Sequence, residues 1–355
     1  MARRCVSQAL AYYPVLGKQG ICYQEDGSVE VRLHLPQTAQ KACIHLMDGP
    51  SYDLIRNDQN IWEARFTPEM GFNYADVTVD GEVVLSPYLP IGFGASRPIN
   101  YIDVPGEGDA FYQPAEGAHG TVVQHYFASS LTGELETCLV YQPPEYDPNQ
   151  AYPVLYLQHG LGENEAGWVH QGRANHILDR LIGSGKAKPM LVVMCSGMVQ
   201  VNGEHNLEIF PKLLVQDVIP FIERTYCVKT DKWHRAMAGL SMGSMHTSMV
   251  TLTHPELFGY AGLFSGFLRF IWKEDQPHLK ALDDPQCFAA DYRVFFRAMG
   301  DADPFFKWFA EDDAILEEKG VQVTRRLYTG GHGWQVWRHC LRDFLPLIFK
   351  EDEAR

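Results

Sequence analysis

Residues 239–243 read Gly-Leu-Ser-Met-Gly, and no other stretch restricts this chain's choice of fold as much. Residues 233–238 before it read as a short buried strand. Residues 244–253 after it read as a helix that ends near His254-Pro255. Between a strand and a helix, Gly-x-Ser-x-Gly predicts a sharp elbow that lifts a serine hydroxyl clear of a sheet. Glycine is needed on both flanks because a Cβ there would meet the neighbouring strand and helix. Taken alone the pentapeptide is a weak signal. The chain holds 31 glycines in 355 residues, and a glycine-rich turn with an idle serine explains it as well. It becomes informative only if an acid and a histidine follow in order.

The rest of the C-terminal part supplies that context. Residues 122–127 and 136–141 read as a pair of strands. The continuous apolar run at 154–157 reads as a strand buried on both faces and 190–195 as another buried strand, with further strands at 260–264, 294–299 and 321–328. Between them lie helical stripes: Ala174, Ile177, Leu178, Leu181 and Ile182, then Leu213, Leu214, Val218, Phe221 and Ile222. A helix is expected over 305–316, and a last one carries Trp334, Trp337, Leu341, Phe344, Leu345 and Ile348. Strands alternating with helices predict a doubly wound, mostly parallel sheet, the α/β-hydrolase arrangement. In such sheets chemistry gathers where strands end.

Four strand ends then carry reactive or polar groups. They are His159-Gly160-Leu161-Gly162, Ser241, Gly300-Asp301-Ala302-Asp303 and Gly330-Gly331-His332-Gly333-Trp334. The order serine, aspartate, histidine is that of the α/β-hydrolase fold. Ser241 is the candidate nucleophile and His332 its base, since a serine hydroxyl needs a neighbouring proton acceptor near neutrality. Chain order does not separate the two candidate acids. Asp301 directly follows the strand glycine and suits a turn cap, whereas Asp303 lies deeper in the loop before Pro304 and is preferred. The oxyanion of acyl transfer needs two N–H donors. Met242, just after the nucleophile, is one, and Leu161 is preferred over Gly162 for the other. His159 reads as strand-end packing. Glu163 and Glu165 read as an exposed, solvated pair. Met237, Met242, Met245 and Met249 read as core filling, and His246 as structural. Trp168, Trp272 and Trp334 follow strand ends and are the candidates for an aromatic cleft wall, with Phe267, Phe270 and Ile271 in an insertion beside Trp272.

The first hundred residues differ. Val29, Val31, Leu33 and Leu35 alternate with polar residues, as do Ala42, Ile44 and Leu46. Strands follow at 61–66 and 74–79, and Asp80-Gly81 predicts a tight hairpin into 83–85. Residues 100–105 are the expected last strand. This is the pattern of a small all-β, immunoglobulin-like sandwich. The expected domains are 1–105 and 106–355, with 106–120 as linker.

Composition excludes several classes. Eight cysteines without a C-x-x-C pair argue against a zinc site and against a disulfide framework. No metal and no cofactor are expected. A formal net charge of −14 disfavours nucleic acid and anionic membranes as partners. No apolar run reaches the roughly 18 residues of a membrane span. Residues 1–15 do not read as a signal peptide, so a cytoplasmic setting is expected.

These blocks together resemble carbohydrate esterase family 1 and the esterase D superfamily, in particular two-domain feruloyl esterases. The resemblance runs through Tyr141-Gln142-Pro143-Pro144-Glu145-Tyr146, residues 155–162, the 239–243 pentapeptide and residues 300–303. It is most specific at Gly330-Gly331-His332-Gly333-Trp334 with Trp337-Arg338, a full match to the family's Gly-Gly-His-x-Trp-x-x-Trp-Arg pattern. The family's acid lies three residues past the strand glycine, which favours Asp303. Residues 72–80 and 100–105 resemble the family's extra β domain, an early-set fold related to family-48 carbohydrate-binding modules. The resemblance implies hydrolysis of hydroxycinnamoyl esters of plant-wall sugars, on oligosaccharide or small ester substrates, without a cofactor. Acetyl-xylan esterase and siderophore (catecholate triester) esterase are alternative activities. A catalytically silent carbohydrate-binding protein is the alternative of another class. A homodimer is among the expected states.

Overall fold

The computed structural model describes residues 20–47, 49–106, 108–204, 206–269 and 275–350. The chain divides into two compact units between Pro114 and Ala115. This lies inside the 106–120 stretch and beyond the Pro105 boundary, because the short 3-10 turn Asp109–Tyr112 keeps company with the first unit. Asp109 accepts the Gly106 N–H at 2.9 Å.

The first unit is an antiparallel sheet of β1 (Gly20–Tyr23), β2 (Val29–Leu33), β3 (Ala42–Leu46), β4 (Ser51–Arg56), β5 (Trp62–Phe66), β6 (Gly71–Val79), β7 (Glu82–Val84), β8 (Ile91–Gly94) and β9 (Arg97–Val104). The order is β1-β2-β5-β4-β3-β6-β9-β8, with β7 paired to β6. Alternation in β2 and β3 buries every second side chain, as their sequences predict. Strand β4 pairs through residues 51–54 with β3 and through Ile55 and Arg56 with β5. The sheet therefore turns a corner there. Val31, Ile44, Trp62, Val77 and Ile102, drawn from both sides of the corner, share one core. The Asp80-Gly81 turn has positive φ at both residues, 51° and 94°, the backbone that a two-residue hairpin matched to strand twist requires. Strand β4 escaped the sequence reading because only Leu54 in it is buried.

The second unit has an eight-stranded sheet of β10 (Thr121–Ala128), β11 (Leu135–Gln142), β12 (Val154–Gln158), β13 (Leu191–Cys195), β14 (Arg235–Leu240), β15 (Tyr260–Phe264), β16 (Val294–Gly300) and β17 (Thr324–Tyr328). The order is β10-β11-β13-β12-β14-β15-β16-β17, parallel from β13 to β17. Strands β12 to β15 are buried at every residue, which is why they read as unbroken apolar runs. The helices are α1 (Ala174–Gly183), α2 (209–225, with a π turn at Leu214–Val218), α3 (Met242–Thr253), α4 (Pro285–Asp291), α5 (Phe306–Glu318) and α6 (Trp334–Phe344). They cover both faces. Val154, Tyr156 and Met237 pack with Phe210, Leu213 and Val250 of α2 and α3. Phe264 and Phe296 meet Phe344 of α6, each with ring centroids 5.7 Å apart.

The chain leaves β12 to one side for β13, then crosses back to β14 on the other. In open parallel sheets, ligands bind beyond the carboxyl ends of the strands at such a switch of direction, here between β12 and β14. Gln158 of β12 lies opposite Gly239 of β14, so the 159–162 loop and Ser241 emerge side by side.

Candidate active site

The β14–α3 turn places Ser241 at φ 51° and ψ −118°, a conformation that side-chain-bearing residues rarely adopt. The turn is held by the Ser241 N–H donating to Phe264 O at 2.9 Å. The flanking glycines are required by contact. A Cβ on Gly239 would stand 2.3 Å from Gly243 O, and one on Gly243 would stand 2.5 Å from His159 O. The pentapeptide thus fits α3 tightly against β14 and the end of β12.

His332 Nε2 lies 2.9 Å from Ser241 Oγ, and His332 Nδ1 lies 2.8 Å from Asp303 Oδ2. The Asp303 side chain is fully buried, while the His332 ring keeps 19% of its surface exposed. The other Asp303 oxygen accepts the Phe305 N–H at 2.9 Å. Asp301 does something else: its Oδ1 accepts the Gly330 N–H at 3.0 Å, bracing one loop against the other from an exposed position. The geometry therefore brings together Ser241, His332 and Asp303, and leaves Asp301 outside the chain of hydrogen bonds. The His332 ring is gripped edge to face by Phe305 at 5.0 Å and Trp337 at 5.2 Å. Phe305 was not singled out from the sequence; its only signal is its place two residues past the acid.

Met242 is the first residue of α3, so its own N–H has no acceptor within the helix. The Leu161 N–H meets no acceptor among the described residues, and the Leu161 side chain is 61% exposed. Gly162 has φ 75°, so the turn after Leu161 needs glycine. Two buried side chains set this loop. His159 Nδ1 donates to Gly160 O at 2.8 Å, and its Nε2 accepts the Gly197 N–H at 2.8 Å. That pattern requires the neutral imidazole, and burial depresses the His159 pKa to about 4. The Glu163 carboxylate accepts the Gly160 N–H at 3.3 Å.

Glu163 corrects the sequence reading. It is 6% exposed, not solvated, because its carboxylate turns inward onto the 159–162 loop. Glu165 is half-buried and accepts from Thr137 Oγ1 at 2.9 Å. The aromatic wall is corrected as well. Trp168 and Trp334 are each 1% exposed and pack edge to face at 5.2 Å, so neither has surface to offer a substrate. Trp168 Nε1 donates to Gln158 O at 3.0 Å, which ties the buried indole to the last residue of β12. Trp272, Phe270 and Ile271 lie outside the described residues. Phe267 is buried, with Met242, Met245, Met299 and Phe309 around it. His246 is also buried, its ring 5.0 Å from that of Phe210.

The block Gly330 to Arg338 now has a physical reading. Trp334 seats α6 on Trp168, Trp337 presses on the His332 ring, and buried Arg338 donates through Nε to Gln171 O at 3.0 Å. The two tryptophans and the arginine of that pattern are buried supports for α6 and for the histidine.

Residues 129–348 match the family model described as "Putative esterase". A curated relative from Xylanibacter ruminicola, named "Endo-1,4-beta-xylanase/feruloyl esterase", is 38% identical over 350 residues, covering 94% of this chain and 46% of that protein. The chain spans less than half the length of the curated relatives it matches first. A solved ferulic acid esterase is 26% identical, with TM-score 0.57, over 65% of this chain and 97% of its own. An enterobactin esterase from Shigella flexneri is 15% identical, with TM-score 0.68, over 94% of this chain and 97% of its own, a likeness of fold. The comparisons support a carboxylic ester hydrolase of the kind to which feruloyl esterases belong.

Proposed function

The chain belongs to the esterase family, and on that footing we propose that it is a serine esterase acting on feruloyl-type esters of plant-wall sugars through an acyl-enzyme on Ser241. The observation that carries the serine mechanism is the hydrogen-bonded chain from Ser241 Oγ through His332 to Asp303, at 2.9 and 2.8 Å. His332 Nε2 takes the hydroxyl proton as Ser241 Oγ attacks the ester carbonyl. The carbonyl oxygen becomes an oxyanion, received by the Met242 and Leu161 N–H groups. The buried Asp303 carboxylate stabilises the imidazolium and fixes its tautomer. Collapse breaks the bond to the sugar oxygen, which leaves with the proton from His332. Water then enters through the exposed side of His332 and loses its proton to Nε2. Its oxygen attacks the acyl carbon, the bond to Ser241 Oγ breaks, and Oγ takes the proton back from His332 Nε2 as the acid is released.

The acyl group is supported by the xylanase/feruloyl esterase relative and by the family pattern around His332. Methyl ferulate, an acetylated xylo-oligosaccharide and a catecholate triester distinguish this substrate from the alternatives. Turnover is expected on the ferulate at least tenfold above the other two. Preference for either of the others would replace feruloyl as the acyl group while leaving the serine mechanism standing. A fluorophosphonate probe that failed to label Ser241 would remove the mechanism itself.

A further inference from the structure

Outside the serine site, the fold assembles a second cluster that ester hydrolysis does not use. His119 stands just before β10, and His176 and Asp179 are three residues apart on one side of α1. One ligating atom from each lies within 4.8 Å of the others. Asp179 is buried, and its two oxygens are committed differently. Oδ1 accepts the Tyr141 hydroxyl at 2.7 Å and the Gly120 N–H at 2.9 Å, while Oδ2 faces His119 Nδ1 at 2.9 Å. His176 is 7% exposed, and its Nδ1 has no hydrogen-bond partner among the described residues. A buried imidazole nitrogen without a partner calls for an explanation, and the same residue brings a ring nitrogen near a carboxylate and a second imidazole. The His119 side chain, 43% exposed, opens the cluster to solvent.

We propose that His119, His176 and Asp179 bind a divalent transition metal of the zinc type, which pins the entrance of β10 to α1. Two imidazoles and one carboxylate form the donor set that suits Zn²⁺ or Co²⁺ in tetrahedral geometry with water as fourth ligand. The same set suits Mg²⁺ and Ca²⁺ poorly, since these seek more oxygen ligands. Tyr141 and the Gly120 N–H hold Asp179 from behind, the outer-shell support that orients a ligating carboxylate. On binding, the metal takes the place of the hydrogen between His119 Nδ1 and Asp179 Oδ2, and the neutral imidazole carries its single N–H on Nε2 instead. Arg173 and Arg180 bring positive charge toward His176 and lower the affinity for a cation. The lack of paired cysteines does not bear on this site, whose ligands are histidine and aspartate.

The test uses the full chain, free of any histidine tag and stripped with EDTA. Micromolar Zn²⁺ is expected to bind with one tight site by calorimetry and to raise Tm. Co²⁺ is expected to give the intense visible band of tetrahedral coordination, and Mg²⁺ and Ca²⁺ are expected to do neither. His119→Ala, a change at the surface, and His176→Phe, which keeps a ring in the core, should each weaken Zn²⁺ binding by at least about tenfold. The inference is overturned if the native chain shows no tight site or Tm shift. It is equally overturned if the folded variants bind Zn²⁺ as tightly as the native chain, or if Ca²⁺ shifts Tm as much as Zn²⁺. None of these readouts involves ester turnover, so the result stands apart from the esterase reading.

Discussion

Ser241 holds a positive φ that neither helix nor strand would give it, and the surrounding contacts keep it there. Its hydroxyl is replaceable without touching those contacts. Ser241→Ala is expected to lower kcat on methyl ferulate by something on the order of 10⁴ or more, with an unchanged Tm. Loss of the fluorophosphonate label in the same variant checks the assignment. The two aspartates separate at this scale too. Asp303→Asn replaces the oxygen facing His332 Nδ1 and favours the wrong tautomer, so kcat should fall by roughly 10⁴. Asp301→Asn can still accept the Gly330 N–H and should cost well under tenfold. Equal losses in parallel kinetics would reject Asp303 as the acid.

At the scale of elements, the 159–162 loop is held by buried polar groups, and its stability should depend on pH. His159 is neutral in the fold, with a pKa near 4 against an ordinary 6.5. Between those values the unfolded chain binds the proton and the folded chain does not. Stability is therefore fully present above about 6.5 and is lost as pH falls toward 4, at about 1.4 kcal/mol per pH unit for this residue. His159→Gln can keep the bonds to Gly160 O and Gly197 N–H without titrating. Urea unfolding at pH 7 and pH 4.5 should show the native chain losing roughly 2 kcal/mol more than the variant. An identical pH response in both would mean that His159 is not held neutral. Gly243→Ala is the matching steric test. Its Cβ would strike the backbone of Gln158 and His159, so both Tm and fluorophosphonate labelling should fall.

For the whole molecule, each unit has its own core. Val31, Ile44, Trp62 and Val77 pack within the first unit, and Val154, Tyr156, Met237 and Phe258 within the second. A solved ferulic acid esterase is matched over 97% of its length by 65% of this chain, so a protein of that size folds by itself. A chain of residues 115–355 is expected to fold cooperatively and to retain labelling of Ser241 by a fluorophosphonate. Turnover on small esters should then be within about tenfold of the full chain. An unfolded or unlabelled product would assign the first unit a part in the stability or the site of the second.

What the sequence determined by itself was local or periodic. The Asp80-Gly81 hairpin, the alternation of β2, the apolar runs of β12 to β15 and the elbow at Ser241 each follow from backbone geometry within a few residues. The order of serine, aspartate and histidine could be read because every strand end carries its own loop. The tertiary structure decided what depends on the direction a side chain takes. Two carboxyl groups in one loop differ by whether they meet His332 or Gly330. Trp168 looked like a cleft wall by position, yet its N–H reaches Gln158 O and its ring meets Trp334. Glu163 looked solvated by type, yet it turns inward to the Gly160 N–H. His119, His176 and Asp179 stand up to sixty residues apart and meet only because the chain just before β10 lies against α1. Composition and spacing record which groups a chain has, but the packing of distant elements decides which of them face one another.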